Sequence, residues 1–154
     1  MSRVQLALNV ADVDSAVDFY SKLFGTEPHK RRDGYANFEI AEPPLKLVLI
    51  QNESADSGSL NHLGVEVDST DDVTAATRRL ADQGMDTDVE EQVDCCFAVQ
   101  DKVWIDGADG TRWEIYTITD DEGTHSPGSV ARAGDPDPCC ASTESEPSAT
   151  VAAG

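Results

Sequence analysis

The four cysteines of this 154-residue chain fall in two adjacent doublets, Cys95-Cys96 and Cys139-Cys140. A disulfide between neighbouring cysteines closes only a small, strained ring and crosslinks no loop, so the doublets are a poor disulfide framework. Two thiolates on one short piece of backbone are good ligands for a soft, thiophilic ion. The pattern therefore indicates metal or metalloid chemistry, although cysteines can also simply fill a core as small, soft side chains.

Three further polar side chains lie near the starts of strand-like runs. Gln5 and His62 occupy equivalent positions in two such runs, and Glu114 lies early in the last run. If two structural units pair about a pseudo-twofold axis, Gln5 and His62 face each other across a cleft that Glu114 joins from an adjacent strand. A neutral imidazole and a carboxylate with open positions suit a first-row divalent metal such as Fe(II). Taken singly, a histidine or glutamate at a strand start is more often a surface residue.

The elements that would position these residues occur twice in the same order. In the first copy the run VQLALNV predicts a strand, and Asp12 caps a helix whose apolar residues recur every three to four positions. A glycine ends this helix. Strand-like runs follow at 35–40 and 45–50, with a Pro-Pro turn between them, and a short strand is predicted near 27–31.

The second copy opens with HLGVEV (62–67), and Ser69 starts a helix with Asp72 as its capping-box partner. Three strand-like runs follow, the last after an Asp-Gly turn: 87–91, 97–104 and 113–119. Each copy therefore reads strand–helix–strand–strand–strand. The predicted fold class is α+β, with two βαβββ modules that form a shared cleft. The sequence leaves open whether the modules pair within one chain or exchange between the chains of a homodimer.

Composition divides the chain into two parts. Residues 1–118 are predicted to form one folded domain, which is long enough to bury a core. Residues 119–154 contain no aromatic residue and are rich in Pro, Gly, Ser and Asp, so we predict an acidic, disordered tail. The tail carries Cys139 and Cys140, which we interpret as accessory thiols that capture or pass on a metalloid.

The charge balance and the apolar pattern exclude several classes of partner. The formal net charge of −19 repels nucleic acid and anionic membranes. The chain has no apolar run of about 18 residues and no signal-like start, so we expect no membrane partner. A cytoplasmic location follows as an expectation, and in that compartment thiols stay reduced.

The repeated unit with His62 and Glu114 resembles the vicinal oxygen chelate superfamily, which includes glyoxalases, bleomycin-resistance proteins and extradiol dioxygenases. Within that superfamily, longer runs are similar to the ArsI/CadI group of arsenic–carbon lyases and cadmium-induced proteins. They cover most of residues 3–118: VQLALNV, FYSKLFGTEP, YANFEIAEPPLKLVLI, LNHLGVEV, CCFAVQDKVW and DGTRWEIYT. The pattern CC-x-A-x-Q-D-K-V-W is specific, because it is not a general feature of the superfamily.

The resemblance implies an Fe(II)- and oxygen-dependent enzyme that cleaves the carbon–arsenic bond of trivalent organoarsenicals such as methylarsonous acid and releases arsenite. Carried over to this chain, the resemblance assigns Cys95 and Cys96 to the arsenic, and Gln5, His62 and Glu114 to the iron. Many metal-dependent members of the superfamily have histidine where this chain has Gln5. An amide oxygen is the weaker ligand for a transition metal.

Geometry constrains the cysteine pair. Neighbouring residues on a regular strand point to opposite faces, so both sulfurs can reach one arsenic only where the backbone is irregular. We therefore predict that Cys95-Cys96 lies in a loop or at the irregular beginning of a strand, and that this loop moves over the cleft. Two rival functions stay open. One is a non-catalytic cadmium- or arsenite-binding resistance protein, and the other is another superfamily activity such as a glyoxalase or a dioxygenase.

Overall fold

A computed structural model describes residues 1–124 of the chain, and the tail cysteines Cys139 and Cys140 lie outside these residues. The described part contains two helices and eight strands in the order βαβββ-βαβββ, which confirms the predicted fold class. Their bounds are β1 (Arg3–Val10), α1 (Val13–Phe24), β2 (Lys30–Arg32), β3 (Tyr35–Ile40), β4 (Leu45–Gln51), β5 (Leu60–Glu66), α2 (Thr70–Asp82), β6 (Asp88–Cys95), β7 (Ala98–Asp106) and β8 (Arg112–Asp120). Neither helix is long and apolar enough to cross a bilayer.

Both helices begin at the side chains that the sequence predicts. The Asp12 carboxylate accepts hydrogen bonds from the backbone N–H groups of Asp14 and Ser15, and Gly25 ends α1 in the left-handed conformation at φ 64°. The Ser69 hydroxyl accepts from the backbone N–H of Asp72 and so caps α2. These local interactions fix where each helix starts, and therefore how each module returns to the sheet.

The strands form one mixed sheet in the order β2-β3-β4-β1-β5-β8-β7-β6. Each module contributes one half of this sheet, and the halves join where β1 pairs with β5 in antiparallel orientation. The pairs β1–β4 and β5–β8 are parallel, so the two modules have the same internal layout. The modules therefore pair within this chain.

The two faces of the sheet have different roles. On β1, Leu6 and Leu8 pack into the apolar cluster beneath α1, whereas Ala7 points to the opposite face. There Ala7 belongs to a cluster with Tyr35 of β3 and Cys95 of β6. Since β3 and β6 belong to opposite ends of the strand order, the sheet curls on itself and encloses a space on this face.

The cysteine pair lies where β6 ends and turns into β7. Cys95 is the last residue of β6, and Cys96 and Phe97 form a two-residue turn into β7 with φ angles of 56° and 61°. Positive φ at both central residues is typical of tight hairpin turns. The backbone is therefore irregular at the doublet, as predicted: Cys95 ends a strand, and Cys96 lies in the two-residue loop that follows it.

The described chain continues beyond the predicted domain boundary at residue 118. β8 runs to Asp120, and the segment after it returns to the cysteine turn. The Gly123 backbone N–H donates to the Phe97 carbonyl over 3.1 Å, and the Thr124 hydroxyl donates to the Asp94 carboxylate over 2.9 Å. This segment therefore packs against the turn that carries the cysteines.

Candidate metal centre and cysteine pair

Gln5, His62 and Glu114 come together on three adjacent strands, β1, β5 and β8, and each is at most 5% exposed. Glu114 Oε1 lies 3.3 Å from His62 Nε2. The Gln5 amide nitrogen lies 3.1 Å from His62 Nε2 and 2.7 Å from Glu114 Oε1. The structure therefore brings together the three side chains that the sequence analysis singled out as metal ligands.

Strand register explains this convergence. Gln5 is paired with Gly64 of β5, and Gly64 is paired with Glu114 of β8. His62 precedes Gly64 by two residues and so points to the same face. A Cβ atom on Gly64 would lie 3.0 Å from Glu114 Cγ and 3.4 Å from Gln5 Cβ. The absence of a side chain at Gly64 therefore lets Gln5 and Glu114 approach each other.

We predict that Gly64→Ala lowers the affinity for a divalent metal at least about tenfold, because the new methyl group forces Glu114 and Gln5 apart. Titration calorimetry with Mn(II) and Co(II) would measure the change. Val65→Ala is the matched control, since Val65 is the next residue on β5 and points to the other face. Equal affinities of Gly64→Ala and the unaltered chain would contradict a metal site at this position.

The hydrogen bonds of His62 prepare its ring to act as a ligand. His62 Nδ1 lies 2.7 Å from the side-chain oxygen of Asn61, whose amide nitrogen in turn donates to Asn9 Oδ1 over 3.0 Å. Because an amide oxygen only accepts, the Nδ1 atom carries the proton and Nε2 keeps its lone pair. Such a partner fixes the tautomer and the ring orientation of a metal-binding histidine.

Lys102 is the charged neighbour of the centre, and its side chain is fully buried. Its ammonium donates to Glu114 Oε2 over 2.8 Å and lies 5.2 Å from the centroid of the Trp104 ring. Burial alone would raise the pKa of Glu114, but the Lys102 charge outweighs it and holds that pKa well below its usual value. Glu114 is therefore a carboxylate, and its Oε1 atom faces His62 and Gln5.

Tyr116 orients the third member of the set. Its hydroxyl donates to Gln5 Oε1, so the amide nitrogen of Gln5 faces His62 and Glu114. Burial, followed by the charges of Glu66 and Glu114, raises the pKa of Tyr116, so the phenol keeps its proton. The two N–H bonds of the Gln5 amide thus face the lone pairs of His62 Nε2 and Glu114 Oε1.

The donor set fits a first-row divalent ion. Two ligand atoms about 2.1 Å from a metal and at right angles to each other lie about 3 Å apart, and His62 Nε2 and Glu114 Oε1 are separated by 3.3 Å. Both lone pairs already converge on the Gln5 amide, and rotation of that amide would present its oxygen instead. No group of three or more His, Cys, Asp or Glu side chains within residues 1–124 is arranged to hold a metal. If the metal has a third protein ligand in this centre, Gln5 is the side chain placed to provide it.

The cysteine pair meets the same face from β6. The two Sγ atoms lie 3.3 Å apart, which is too long for a disulfide between Cys95 and Cys96 and allows one soft atom to contact both. Cys95 is fully buried, whereas Cys96 is partly exposed and lines the cavity beside the metal centre. Left-handed conformations at non-glycine residues cost about 1–2 kcal/mol each, and such strain is concentrated at functional sites.

Three hydrogen bonds hold the turn in place. The Gln100 side-chain nitrogen donates to the Cys95 carbonyl over 3.0 Å, and the Lys30 ammonium donates to the Phe97 carbonyl over 2.8 Å. The Phe97 carbonyl also accepts from the Gly123 N–H. Lys30 in turn forms an ion pair with Asp121, at 2.6 Å. The turn is therefore tied both to the first module and to the segment that follows β8.

One cavity connects the two groups of residues, because Cys96 lines it together with Gln5, His62 and Glu114. Its volume is about 20 Å³, and about 10–15 Å³ is needed to hold one water molecule. The cavity accommodates a water or an ion in this conformation but not an organoarsenical. A larger ligand therefore requires the cysteine turn to move outward.

Sequence reasoning missed Gly64 and gave Lys102 no role. An isolated glycine inside a strand pattern often marks a close approach of backbone or side chains, and this signal was present in HLGVEV. Lys102 lies in the motif CC-x-A-x-Q-D-K-V-W, but nothing in the sequence indicates that its partner is Glu114. Trp104 and Tyr116 are both buried, and the Tyr116 hydroxyl also contacts Gln5.

Comparisons with known proteins agree with this architecture. Residues 3–115 match the model of the Glyoxalase/Bleomycin resistance protein/Dioxygenase superfamily. The chain is 56% identical over 128 residues to the cadmium-induced protein CadI of Mycobacterium tuberculosis H37Rv, which covers 83% of this chain and 84% of the relative. It is 52% identical over 145 residues to a trivalent organoarsenical cleaving enzyme of Thermomonospora curvata, covering 94% and 92% of the two chains.

Solved structures show the same fold. The Mn(II)-bound glyoxalase of Novosphingobium aromaticivorans superposes with a TM-score of 0.56 at 22% identity, over 86% of this chain and 44% of that chain. Homoprotocatechuate 2,3-dioxygenase of Arthrobacter globiformis gives 0.55 at 18% identity, over 79% and 36%. From its fold and its relatives, the chain belongs to the glyoxalase/bleomycin resistance protein/dioxygenase superfamily, and within it to the ArsI/CadI group.

Proposed function

We propose that this chain is a carbon–arsenic lyase that converts trivalent organoarsenicals such as methylarsonous acid to arsenite, with Fe(II) held by Gln5, His62 and Glu114 and with dioxygen as co-substrate. The observation that carries the proposal is the shared cavity, which Cys96 and all three of those side chains line. The name of the Thermomonospora curvata relative, a trivalent organoarsenical cleaving enzyme, supports the same reaction.

The cysteine pair would bind the arsenic. Trivalent arsenic is soft and prefers sulfur to oxygen, so Cys95 and Cys96, once both are reduced to thiols, would replace two arsenic-bound hydroxyl groups, each of which leaves as water. The 3.3 Å separation of the Sγ atoms suits one arsenic bridging both. Arsenic fixed in this way would keep its carbon substituent next to the metal centre, and this proximity supplies much of the rate enhancement.

The chain's other residues would shape the metal centre. Lys102 occupies Glu114 Oε2 and so leaves Oε1 for the metal, and Asn61 holds the His62 ring with Nε2 directed inward. Tyr116 would accept a hydrogen bond from the rotated Gln5 amide, since its hydroxyl both donates and accepts. Bound Fe(II) with open positions would activate dioxygen beside the substrate. Burial of these side chains keeps bulk water away from the reacting atoms.

A speciation experiment tests the proposal. Reduced protein is loaded with Fe(II) under anaerobic conditions, mixed with methylarsonous acid and exposed to air, and the arsenic species are then separated and quantified. We expect many equivalents of arsenite per chain, and none above background without iron or without air. Iron-independent formation of arsenite would contradict the role of the centre.

The same experiment separates the rival functions. The cadmium-induced relative at 56% identity and the soft sulfur pair favour sequestration as the second candidate. In that case, close to one arsenic would be retained per chain and no arsenite would be released. A glyoxalase or dioxygenase would act on its own substrates and would be insensitive to replacement of Cys95 by alanine or of Cys96 by serine.

A further inference from the structure

Within residues 1–124, two buried amide oxygens have no hydrogen-bond partner: Asn37 Oδ1 and Gln100 Oε1. Asn37 is 3% exposed and Gln100 is 5% exposed, and both residues line the cavity that contains Cys96 and His62. Buried polar atoms are nearly always hydrogen-bonded, because an unsatisfied acceptor costs free energy. Because both residues line one cavity, a molecule bound there could supply donors to both oxygens.

The donor sides of both amides are already used. Gln100 Nε2 donates to the Cys95 carbonyl over 3.0 Å, and because a carbonyl only accepts, the amide orientation is fixed and Oε1 faces away from it. Asn37 Nδ2 donates to the Tyr35 hydroxyl over 3.0 Å. Each is the third residue of its strand, β3 in the first module and β7 in the second. The modules therefore contribute one acceptor each.

The charges around the cavity select a neutral donor. Lys30 and Lys46 also line this cavity, and their positive ammonium groups disfavour any cation there in addition to the proposed metal. Those charges are balanced by Asp121, at 2.6 Å, and Glu39, at 3.2 Å, so no excess positive charge remains to attract an anion. Neutral amide oxygens then bind best to hydroxyl groups that carry a proton.

We propose that Asn37 and Gln100 form a hydroxyl-binding subsite for arsenic(III) held on the cysteine pair. This inference rests on the proposed function, which places the arsenic on Cys96. Undissociated As–OH groups are neutral donors and suit the two acceptors. The Gln100 amide also donates directly to the Cys95 carbonyl, so Gln100 lies next to the residue that carries one of the two sulfurs.

The subsite would act at defined stages of ligand exchange. In the first exchange the S–H bond of Cys96 and one As–O bond break, an As–S bond and an O–H bond form, and one water leaves. The arsenic then carries its organic group and one hydroxyl, and the subsite holds that hydroxyl. After the second exchange, methylarsonous acid retains only its methyl group, whereas arsenite retains one hydroxyl. The subsite therefore binds the first adduct and the bound product, but not the fully exchanged substrate.

The test compares ligands that differ in their hydroxyl groups. Reduced, metal-free full-length protein is titrated with arsenite and, separately, with Cd(II), which binds thiolates and needs no hydroxyl contact. Arsenite bound to both sulfurs keeps one As–OH group, which donates one hydrogen bond. We therefore expect the variant that removes its acceptor, Asn37→Leu or Gln100→Met, to weaken arsenite binding about fivefold, the effect of losing one buried neutral hydrogen bond. Affinity for Cd(II) should change by less than about twofold in Asn37→Leu, which leaves the Gln100 hydrogen bond to the cysteine turn in place. Circular dichroism confirms that the variants are folded.

The matched control is Ser21→Ala. Ser21 Oγ is also buried without a partner within residues 1–124, but Ser21 lies on α1 and is absent from the cavity lining. Its replacement should leave the affinities for arsenite and Cd(II) unchanged. Since Asn37→Leu does not touch the cysteine turn, it separates loss of the acceptor from disturbance of the sulfur pair.

The outcomes separate this subsite from the lyase proposal. Unchanged arsenite affinity in both variants, an equal loss for arsenite and Cd(II), or no arsenite binding by the unaltered chain would overturn the subsite. A selective loss for arsenite would support it even if the speciation experiment found no turnover, and in that case only the lyase proposal would fail. Turnover with unchanged arsenite affinity in both variants would leave the lyase and remove the subsite.

Discussion

Replacing Lys102 with methionine should lower the free energy of unfolding of the metal-free protein by about 3–5 kcal/mol at neutral pH, the usual effect of removing one partner from a buried ion pair. Glu114 is 2% exposed, and the Lys102 ammonium at 2.8 Å supplies its counter-charge. Methionine keeps the length and apolar contacts of the stem but not the charge. Denaturant titration followed by tryptophan fluorescence would measure the loss.

The pH dependence of this loss has a definite sign. In the unaltered chain the pKa of Glu114 is lowered, so its contribution to stability is present above the unfolded-state pKa and is lost as the pH falls. Without the Lys102 charge, less opposes the effect of burial on the Glu114 carboxylate, so the pKa of Glu114 in the folded variant rises. Since an unfolded glutamate titrates near about pH 4.3, the difference between variant and unaltered chain should be largest at neutral pH and should shrink toward pH 4.

A bound divalent metal should reverse the loss in Lys102→Met. The metal would take over as counter-charge to Glu114, and the repulsion between ammonium and metal would be gone. We therefore expect metal affinity at least about tenfold higher than in the unaltered chain, with a larger metal-induced rise in Tm. Weaker metal binding in the variant would show that Lys102 serves mainly to position the carboxylate.

Lys22→Met is the matched control for the stability measurement. Lys22 forms an ion pair with Asp18 on α1, at 2.7 Å, but its side chain is 75% exposed. Exposed pairs contribute at most about 1 kcal/mol. A loss in Lys102→Met no larger than in this control would mean that the buried pair does not stabilise the fold as proposed.

Short-range sequence features were enough to predict most of the fold. The capping residues Asp12 and Ser69 act within three residues of themselves, so the sequence alone located both helix starts. The repeat of pattern predicted equivalent places for Gln5 and His62, and these lie on the two strands that join the modules. Elements and their order depend on short-range periodicity, which a single sequence displays.

The full length of β6 could not be predicted from the sequence. Its run from Asp88 to Cys95 is mostly polar because it lies at the sheet edge, and a bulge between Glu90 and Val93 breaks its alternation. The bulge residue Gln92 has φ 52°, and its N–H donates to Asp101 Oδ1 over 2.7 Å. A contact with a neighbouring strand thus keeps β6 in register up to the cysteines, and sequence periodicity could not predict it.

The contacts between side chains inside the site also could not be predicted from the sequence. The sequence places Lys102 in a specific motif, but its contact with Glu114 depends on how β7 and β8 align. Equally, nothing in the pattern shows that Asn37 and Gln100 line one cavity, because they reach it from opposite halves of the sheet. Residue types can be read locally, whereas such convergence is decided by sheet register and curl.

Cys96→Ser should lower kcat/KM for methylarsonous acid at least about a hundredfold. A serine hydroxyl is a hard ligand that does not retain soft arsenic, so the reacting bond would no longer be held beside the centre. The hydrogen bonds among Gln5, His62 and Glu114 include neither sulfur, so affinity for Mn(II) should stay within about twofold. Arsenic speciation measures the first quantity and titration calorimetry the second.

Cys95 needs a different substitution, because its side chain is fully buried in an apolar cluster with Ala7 and Tyr35. A serine there would bury a hydroxyl among apolar groups, so Cys95→Ala separates loss of the sulfur from loss of stability. We expect Cys95→Ala to reduce turnover as strongly as Cys96→Ser, since one remaining thiolate no longer chelates arsenic.

The tail variant with both Cys139→Ser and Cys140→Ser controls for thiol number and should keep at least about half of the turnover. Full turnover in either single variant of the turn would contradict two-sulfur capture, whereas a loss confined to the tail variant would move the arsenic site to the tail.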